Sequence, residues 1–424
     1  MKDSGVKWIG EIPEDYNIIH LKYVCSFKTG GTPNNKEGID VDGDYPWITA
    51  SDFTNRLTIG SCEQYISRET VKKYGYSLFP TGSILLVCIA SVGKVGIILE
   101  PSYSNQQITA IKPNRDKIFT QYLLYVIKAG SDQINYDASS NVVPIVNTKY
   151  LMNFNIPIIE LNTQEQIASF LDKKCSEIDS LYSEIEEQIK VLEEYKKSVI
   201  TEAVTKGLNP NVEMKDSGID WIGEIPKEWE IIKIGHIFSL RNERNSLPED
   251  KVQLLSLFSG IGVFPQGEYT TNSGNHAQTV EGYKIVYKND IVVNIILAWM
   301  GAIGVSDYNG VTSPAYDIYI PNLKKVVPHF YHYVFRTSGI AGECYKYGRG
   351  IMMMRWRTYS QEFKQIMVPV PSLDEQQQIA DYLDSKCAEI DSTIADKQHQ
   401  LSILEQYKKS LIYEYVTGKK EVPA

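Results

Sequence analysis

From Gln164 to Lys206 the chain runs through 43 residues without a glycine or a proline. Along it Leu171, Cys175, Ile178, Tyr182, Ile185, Ile189, Leu192, Val199 and Ala203 step by three or four, a narrow apolar stripe on an otherwise charged segment. The spacing predicts one helix about 65 Å long at ~1.5 Å per residue, where an ordinary globular helix has about 11 residues. Such a rod cannot bury its own seam and needs a partner.

The partner is written in the same chain. From Gln378 onward the rod repeats at a constant offset of 212, with Leu171 recurring as Leu383, Cys175 as Cys387 and Ile178 as Ile390. Its stripe is Ile379, Leu383, Cys387, Ile390, Ile394, Leu401, Leu404, Leu411 and Tyr415, and Tyr195-Lys196-Lys197-Ser198 returns as Tyr407-Lys408-Lys409-Ser410. A second repeat opens each half: MKDSGVKWIGEIP at Met1–Pro13 comes back as MKDSGIDWIGEIP at Met214–Pro226. The chain is therefore a tandem duplication. The expected organisation is a leader and globular domain over 1–160, a long helix over 161–206, a linker at 207–213, a second leader and domain over 214–373, and a second long helix over 374–420.

The globular parts read as α+β, with mixed α/β domains. Leu21–Phe27, Trp47–Ala50, Ser83–Ala90, Val95–Leu99 and Ile108–Lys112 read as short strands between Gly and Pro turns, with a helix at Thr120–Lys128. Phe154–Ile159 is a strand leading into the first rod, with Asn162 or Thr163 as its cap. In the second half Tyr283–Val293, Ile295–Trp299 and Ala315–Ile320 read as strands, Phe330–Thr337 as a helix and Gln365–Val370 as a strand, with Asp374 capping the second rod. The leaders, with Gly5, Gly10 and Pro13, read as loops. A domain of ~150 residues has a radius of gyration of roughly 15 Å, too small to carry the chain back along the first rod. The two long helices are therefore expected to run antiparallel as a coiled coil with pseudo-twofold symmetry, one head at each end.

The net charge of −9 is concentrated in the rods, which carry −4 and −3 over 164–206 and 374–420. The globular parts stay free to form local basic faces, and it is the surface field that steers a polyanion. The six cysteines show no C-x-x-C pairing, as in reduced proteins. No signal peptide and no membrane span is expected, because the most apolar window, Ile291–Val305, is short and interrupted by Asn294. A cytoplasmic location fits.

Catalytic signatures are missing: G-x-x-x-x-G-K-[ST], H-E-x-x-H, G-x-S-x-G and a strand-to-helix G-x-G-x-x-G. Gly93-Lys94 reads as a strand turn. His329 and His332 share a helical face without a third ligand nearby, which favours a structural role over a metal. The distinctive stretch runs from Arg336 to Arg357. There Arg336, Lys346, Arg349, Arg355 and Arg357 face the single acid Glu343 and interleave with Tyr345, Tyr347 and Trp356. Basic groups neutralise phosphates and Arg forks read guanine edges, so these residues are DNA-contact candidates; the alternative is a solvated loop over a core that includes Met352-Met353-Met354. In the first half the basic candidates are Arg68, Lys72 and Lys73 with Tyr74, and Lys94. The acidic outer face of the first rod, at Glu186, Glu187, Glu193 and Glu194, is the candidate docking surface for partner proteins.

The duplicated K-D-S-G-x-x-W-I-G-E-I-P leader, Pro46-Trp47-Ile48 and the strand-to-rod junctions at Pro157–Gln166 and Pro369–Gln378 resemble the specificity subunit of type I restriction-modification systems. The resemblance covers essentially the whole chain. It implies two target-recognition domains, each reading one half of a bipartite site on double-stranded DNA, with the helices as a ruler. It also implies two methyltransferase subunits that methylate adenine with S-adenosylmethionine, and restriction or motor subunits that use ATP and Mg. These cofactors belong to the partners, and none is expected on this chain, which lacks N-P-P-Y and D-P-P-Y. The competing readings are a stand-alone or fused DNA-modifying enzyme and a coiled-coil scaffold whose heads bind proteins.

Overall fold

The computed structural model describes residues 1–60, 62–138, 143–259, 261–267, 280–350 and 356–423. By internal contacts the chain divides into two compact units, Met1–Glu186 with Gln398–Ala424, and Glu187–Lys397. Each unit holds one leader, one head and a stretch of both long helices.

In the first unit the leader folds into a small antiparallel pair, Lys2–Asp3 with Glu11–Ile12, where a loop was expected. Its turns need left-handed backbone at Gly5 and Gly10 (φ 67° and 70°), which glycine adopts without strain. The head contains a five-stranded sheet in the order Cys25–Thr29, Ile108–Pro113, Ile84–Val87, Val95–Ile98, Thr58–Ile59, with only the last pair parallel. A four-stranded sheet built on Tyr45–Ile48 and Tyr65–Ile66 stands beside it. The helix at Thr120 runs to Ala138, well past the expected Lys128. Gly130 does not break it, because the missing Cβ makes room for Phe154 and Trp8. Asn155–Ile158 pairs antiparallel with Asn17–His20 and feeds the long helix Leu161–Lys206.

The expected caps of that helix are not used. Its first turn closes back on Glu160, whose carbonyl accepts the Gln164 N–H at 3.1 Å. Gln164 is fully buried; its amide nitrogen donates to the Ile159 carbonyl (2.6 Å) and its oxygen accepts the Phe119 N–H (2.8 Å). The second long helix, Leu373–Val416, repeats the device: Gln376 donates to the Lys325 and Pro371 carbonyls and accepts the Val327 N–H. There Ser372 accepts the Glu375 N–H (3.3 Å), in place of a cap by Asp374. A buried amide left half-paired costs about 1–3 kcal/mol, so each glutamine latches its rod to its head.

One core joins the first head to the rods. Ile84, Leu86, Ile111 and Leu123 pack in the same cluster as Leu171, Cys175 and Ile178 of the first rod and Leu411, Ile412 and Val416 of the second. Phe170 touches Tyr415 (4.5 Å between rings) while Asp179 accepts from Lys408 (2.5 Å), so within this unit the helices run antiparallel.

The second unit repeats the plan. Met214–Asp216 pairs with Glu224–Pro226, and Glu230–Lys233 with Met367–Val370 just ahead of the second rod. The head's sheet runs Phe238–Leu240, Tyr316–Pro321, Ile291–Asn294, Ile303–Val305, antiparallel throughout. The expected strand Tyr283–Val293 is two strands, Lys284–Val286 and Ile291–Asn294, parted by a turn with Asn289 at φ 74°. Ile295–Trp299 is no strand. Asn294 Oδ1 accepts the Ile296 N–H (3.0 Å), and a 3-10 turn at Ala298–Met300 ends on Gly301 at φ 78°. The helix expected at Phe330–Thr337 spans Pro328–Val334. Lys196 donates to Asp391 (2.6 Å) and Lys397 to Gln188 (2.6 Å), an antiparallel register here too. No described helix is long and apolar enough to cross a membrane.

Candidate functional site

In the second head the basic-aromatic stretch is assembled on the helix Ser338–Tyr347, whose first turn is capped by Thr337 accepting the Ile340 N–H. Trp356 stacks on Tyr345 (5.1 Å, 22°) and donates its indole N–H to the Tyr345 carbonyl (3.0 Å). Gly348 permits that stack: a Cβ there would lie 2.3 Å from Trp356 Nε1. Arg349 and Arg357 exchange backbone hydrogen bonds (2.8 and 2.9 Å), which places them opposite each other. The Arg349 side chain is 76 % exposed, with one nitrogen 2.7 Å from Glu362. Lys346 sits 5.7 Å over the Tyr347 ring, and its hydrogen bond to Glu343 raises its pKa. Lys346, Tyr347, Arg349, Trp356 and Arg357 thus form one cationic and aromatic patch.

Arg336 sits apart from that patch. It is half-buried, its Nη2 lying 3.5 Å from where a Cβ on Gly262 would be. Burial lowers its guanidinium pKa, and its Nε has no hydrogen-bond partner among the described residues. Arg355 and Met352-Met353-Met354 lie outside the described residues. His329 stacks on His332 (5.5 Å) and binds Asp384 (2.8 Å). Burial, with Arg336 and His329 adding to it, pushes the His332 pKa down to about 3. Among the described residues no group of three or more His, Cys, Asp or Glu could hold a metal ion.

In the first head Arg68, Lys72, Lys73 and Tyr74 share the helix Arg68–Tyr74, capped by Ser67 and ended by Gly75 at φ 66°. Lys73 reaches both Glu37 oxygens (2.7 and 2.9 Å) and Tyr74 adds a third bond (3.1 Å), which holds the Glu37 carboxyl below its usual range. Tyr74 stacks on Tyr76 (5.6 Å), and Arg68 lies 5.9 Å over Tyr45. Lys72 is exposed on the same helix. Lys94 lies elsewhere, donating to the Ala50 carbonyl (3.1 Å). The sequence reading missed Tyr45 and Tyr76; the aromatic run from Tyr45-Pro46-Trp47 to Tyr74-Gly75-Tyr76 was the available signal. Glu186, Glu187, Glu193 and Glu194 are all exposed on the first long helix.

Both patches offer flat aromatic faces beside cations, the equipment for stacking and phosphate neutralisation. They are built from different residues on different elements.

The family model described as type I restriction modification DNA specificity domain matches residues 13–191 and again 226–402. The MjaVIII specificity subunit of a type I restriction enzyme from Methanocaldococcus jannaschii is 25 % identical over 96 % of this chain and 93 % of its own length. The MjaIX specificity subunit from the same organism is 30 % identical over 56 % of this chain and 55 % of its own. A chain from a solved structure of a type I R-M system superposes with a TM-score of 0.69 over 97 % of this chain and 100 % of that one, at 12 % identity, a likeness of fold.

Proposed function

The chain belongs to the type I restriction-modification DNA specificity family, and on that premise we propose that it is the non-catalytic subunit through which each of two unlike heads reads one half of an asymmetric, bipartite site on double-stranded DNA. One observation carries the reading: two units of the same plan share two continuous helices, of 46 and 44 residues, while the cationic patches of their heads differ. Helices of that length span about 65–70 Å and act as a ruler, a coiled-coil spacer with pseudo-twofold symmetry. Half-sites about one helical turn apart, ~34 Å, are engaged together. The second contact is intramolecular and raises affinity without new interactions.

In this reading Lys346, Tyr347, Arg349, Trp356 and Arg357 serve one half-site, with Arg336 acting apart from them. Arg68, Lys72, Lys73 and Tyr74, with Lys94, serve the other. Two methyltransferase subunits dock on the long helices and bring S-adenosylmethionine to adenines in the site; restriction subunits supply ATP- and Mg-dependent cleavage. The assembly works in the cytoplasm. Exchanging residues 21–155 for those of a relative tests this: mapping of methylated sites should show one half-site changed and the other kept. Changes in both halves would defeat it.

A further inference from the structure

Two copies of one partner must meet surfaces that the duplication keeps the same. Of the acidic candidates on the first rod only Glu193 meets that requirement, recurring as Glu405; Glu186, Glu187 and Glu194 are replaced at the 212 offset by Gln398, His399 and Gln406. What the offset preserves is an exposed apolar pair, Val191 with Tyr195 on one rod and Ile403 with Tyr407 on the other, one helical turn apart in each case and 49–54 % exposed. Beside each tyrosine lies a lysine of the other rod in the same unit. Lys174 bonds to Glu177 (2.8 Å) and is raised by that bond, with Tyr407 adding to it; Lys386 bonds to Glu389 (2.8 Å) and is raised likewise, with Tyr195 adding to it. Each unit therefore presents the same outer face of tyrosine, lysine and aliphatic side chains. Large apolar groups left in water at matching positions mark an interaction surface.

The faces differ at one point. In the first unit Tyr415 covers Phe170, their rings 4.5 Å apart. In the second unit the matching residues are Ala203 and Tyr382. Without a ring at 203, Tyr382 stays 41 % exposed, and a groove opens between Tyr195, Ser198, Ala203, Leu208 and Tyr382. Its rim carries Glu202 of the rod and Glu224 of the second leader against Lys206, which pairs with Glu202 (3.9 Å), so the lining is net negative by one charge. A basic segment with an apolar anchor fits this groove.

We infer that these outer faces are two docking sites for one partner protein, the modification subunit, and that they are unequal: the second unit takes a large apolar side chain of that subunit, flanked by lysine or arginine, into the groove beside Ala203 and Tyr382 and is filled first. The inference rests on the proposed role as a specificity subunit.

The test titrates the full-length chain with the modification subunit of its own system, read by native mass spectrometry and calorimetry. Two copies should bind in a tight and a weaker step, the apolar anchor contributing about ten-fold or more. Ala203→Tyr should fill the groove and bring the tight step down to the weak one. Tyr382→Ala, at an exposed position, should act in the same direction if the first variant does not fold. Tyr407→Asp should remove only the weaker step. Two equal steps in the wild type, or a tight step untouched by both groove variants, would overturn the inference. So would a groove whose filling abolishes self-association of the chain but not partner binding. A wild-type chain that binds no modification subunit would instead remove the specificity-subunit reading itself.

Discussion

Lys408 and Asp179 join the two long helices in the first unit, and the duplication supplies their control. The matching pair in the second unit is Lys196 with Asp391, at 2.6 Å against 2.5 Å. Distance does not separate them, but solvent does: the Lys408 and Asp179 side chains are 12 % and 27 % exposed, those of Lys196 and Asp391 26 % and 55 %. A half-buried charged hydrogen bond contributes about 1.5–3 kcal/mol, an exposed ion pair about 0.2–1 kcal/mol. Single truncation at Lys408 will understate the interaction. Lys128, whose ammonium pKa is lowered first by burial and then by Lys408, is relieved when Lys408 goes. A double-mutant cycle removes that side effect. With Lys408→Ala, Asp179→Ala and the double variant, urea unfolding should give a coupling of about 1.5–3 kcal/mol. The cycle through Lys196 and Asp391 should give about 1 kcal/mol or less and lose most of it in 1 M salt. Equal couplings, or a larger one in the second unit, would refute the argument that burial decides the strength of these pairs.

Gly339→Ala would set a Cβ 2.2 Å from the Trp221 ring and should destabilise the protein by about 1–3 kcal/mol. Gly342→Ala in the same helix meets nothing within 4 Å and should be neutral or stabilising by up to about 1 kcal/mol; urea unfolding followed by tryptophan fluorescence separates the two. His332, at about 3 when folded, stays neutral while its unfolded form takes up a proton near 6.5. The unfolded state then binds more protons, so stability should fall as pH drops from 6.5 toward 3, and His332→Gln should flatten that slope in a pH series of unfolding curves. Arg349→Ala should weaken DNA binding by the assembled complex and lower the salt dependence by about one phosphate, read from affinities at several salt concentrations.

The rods were legible because a Gly- and Pro-free stripe at 3–4 spacing leaves a chain few alternatives, and because the stripe occurs twice. The rod caps were not. Gln164 and Gln376 anchor the first turns of the two rods through carbonyls and amides of the heads, and a buried glutamine resembles a surface one in a string of letters. The run Ile295–Trp299 looked like a strand since burial selects apolar residues in any backbone; Asn294 ahead of it and Gly301 behind it were the turn signals. Of the candidate site, the cluster on 346–357 was visible as composition. What local sequence hid was the partnering: Lys73 meets Glu37, Lys94 meets the Ala50 carbonyl and Arg349 meets Glu362, each brought in by a different turn of the fold.

The central claim is that helix length sets the separation of the half-sites. Seven residues inserted after Gln188 and seven matched ones before Lys397 would lengthen both rods by about 10 Å, roughly three base pairs of duplex. On a library of DNA spacers, the assembled methyltransferase should then accept a spacer about three base pairs longer while both half-site sequences stay as they were. Methylation at the original spacing, or altered half-sites at the new one, would contradict the account.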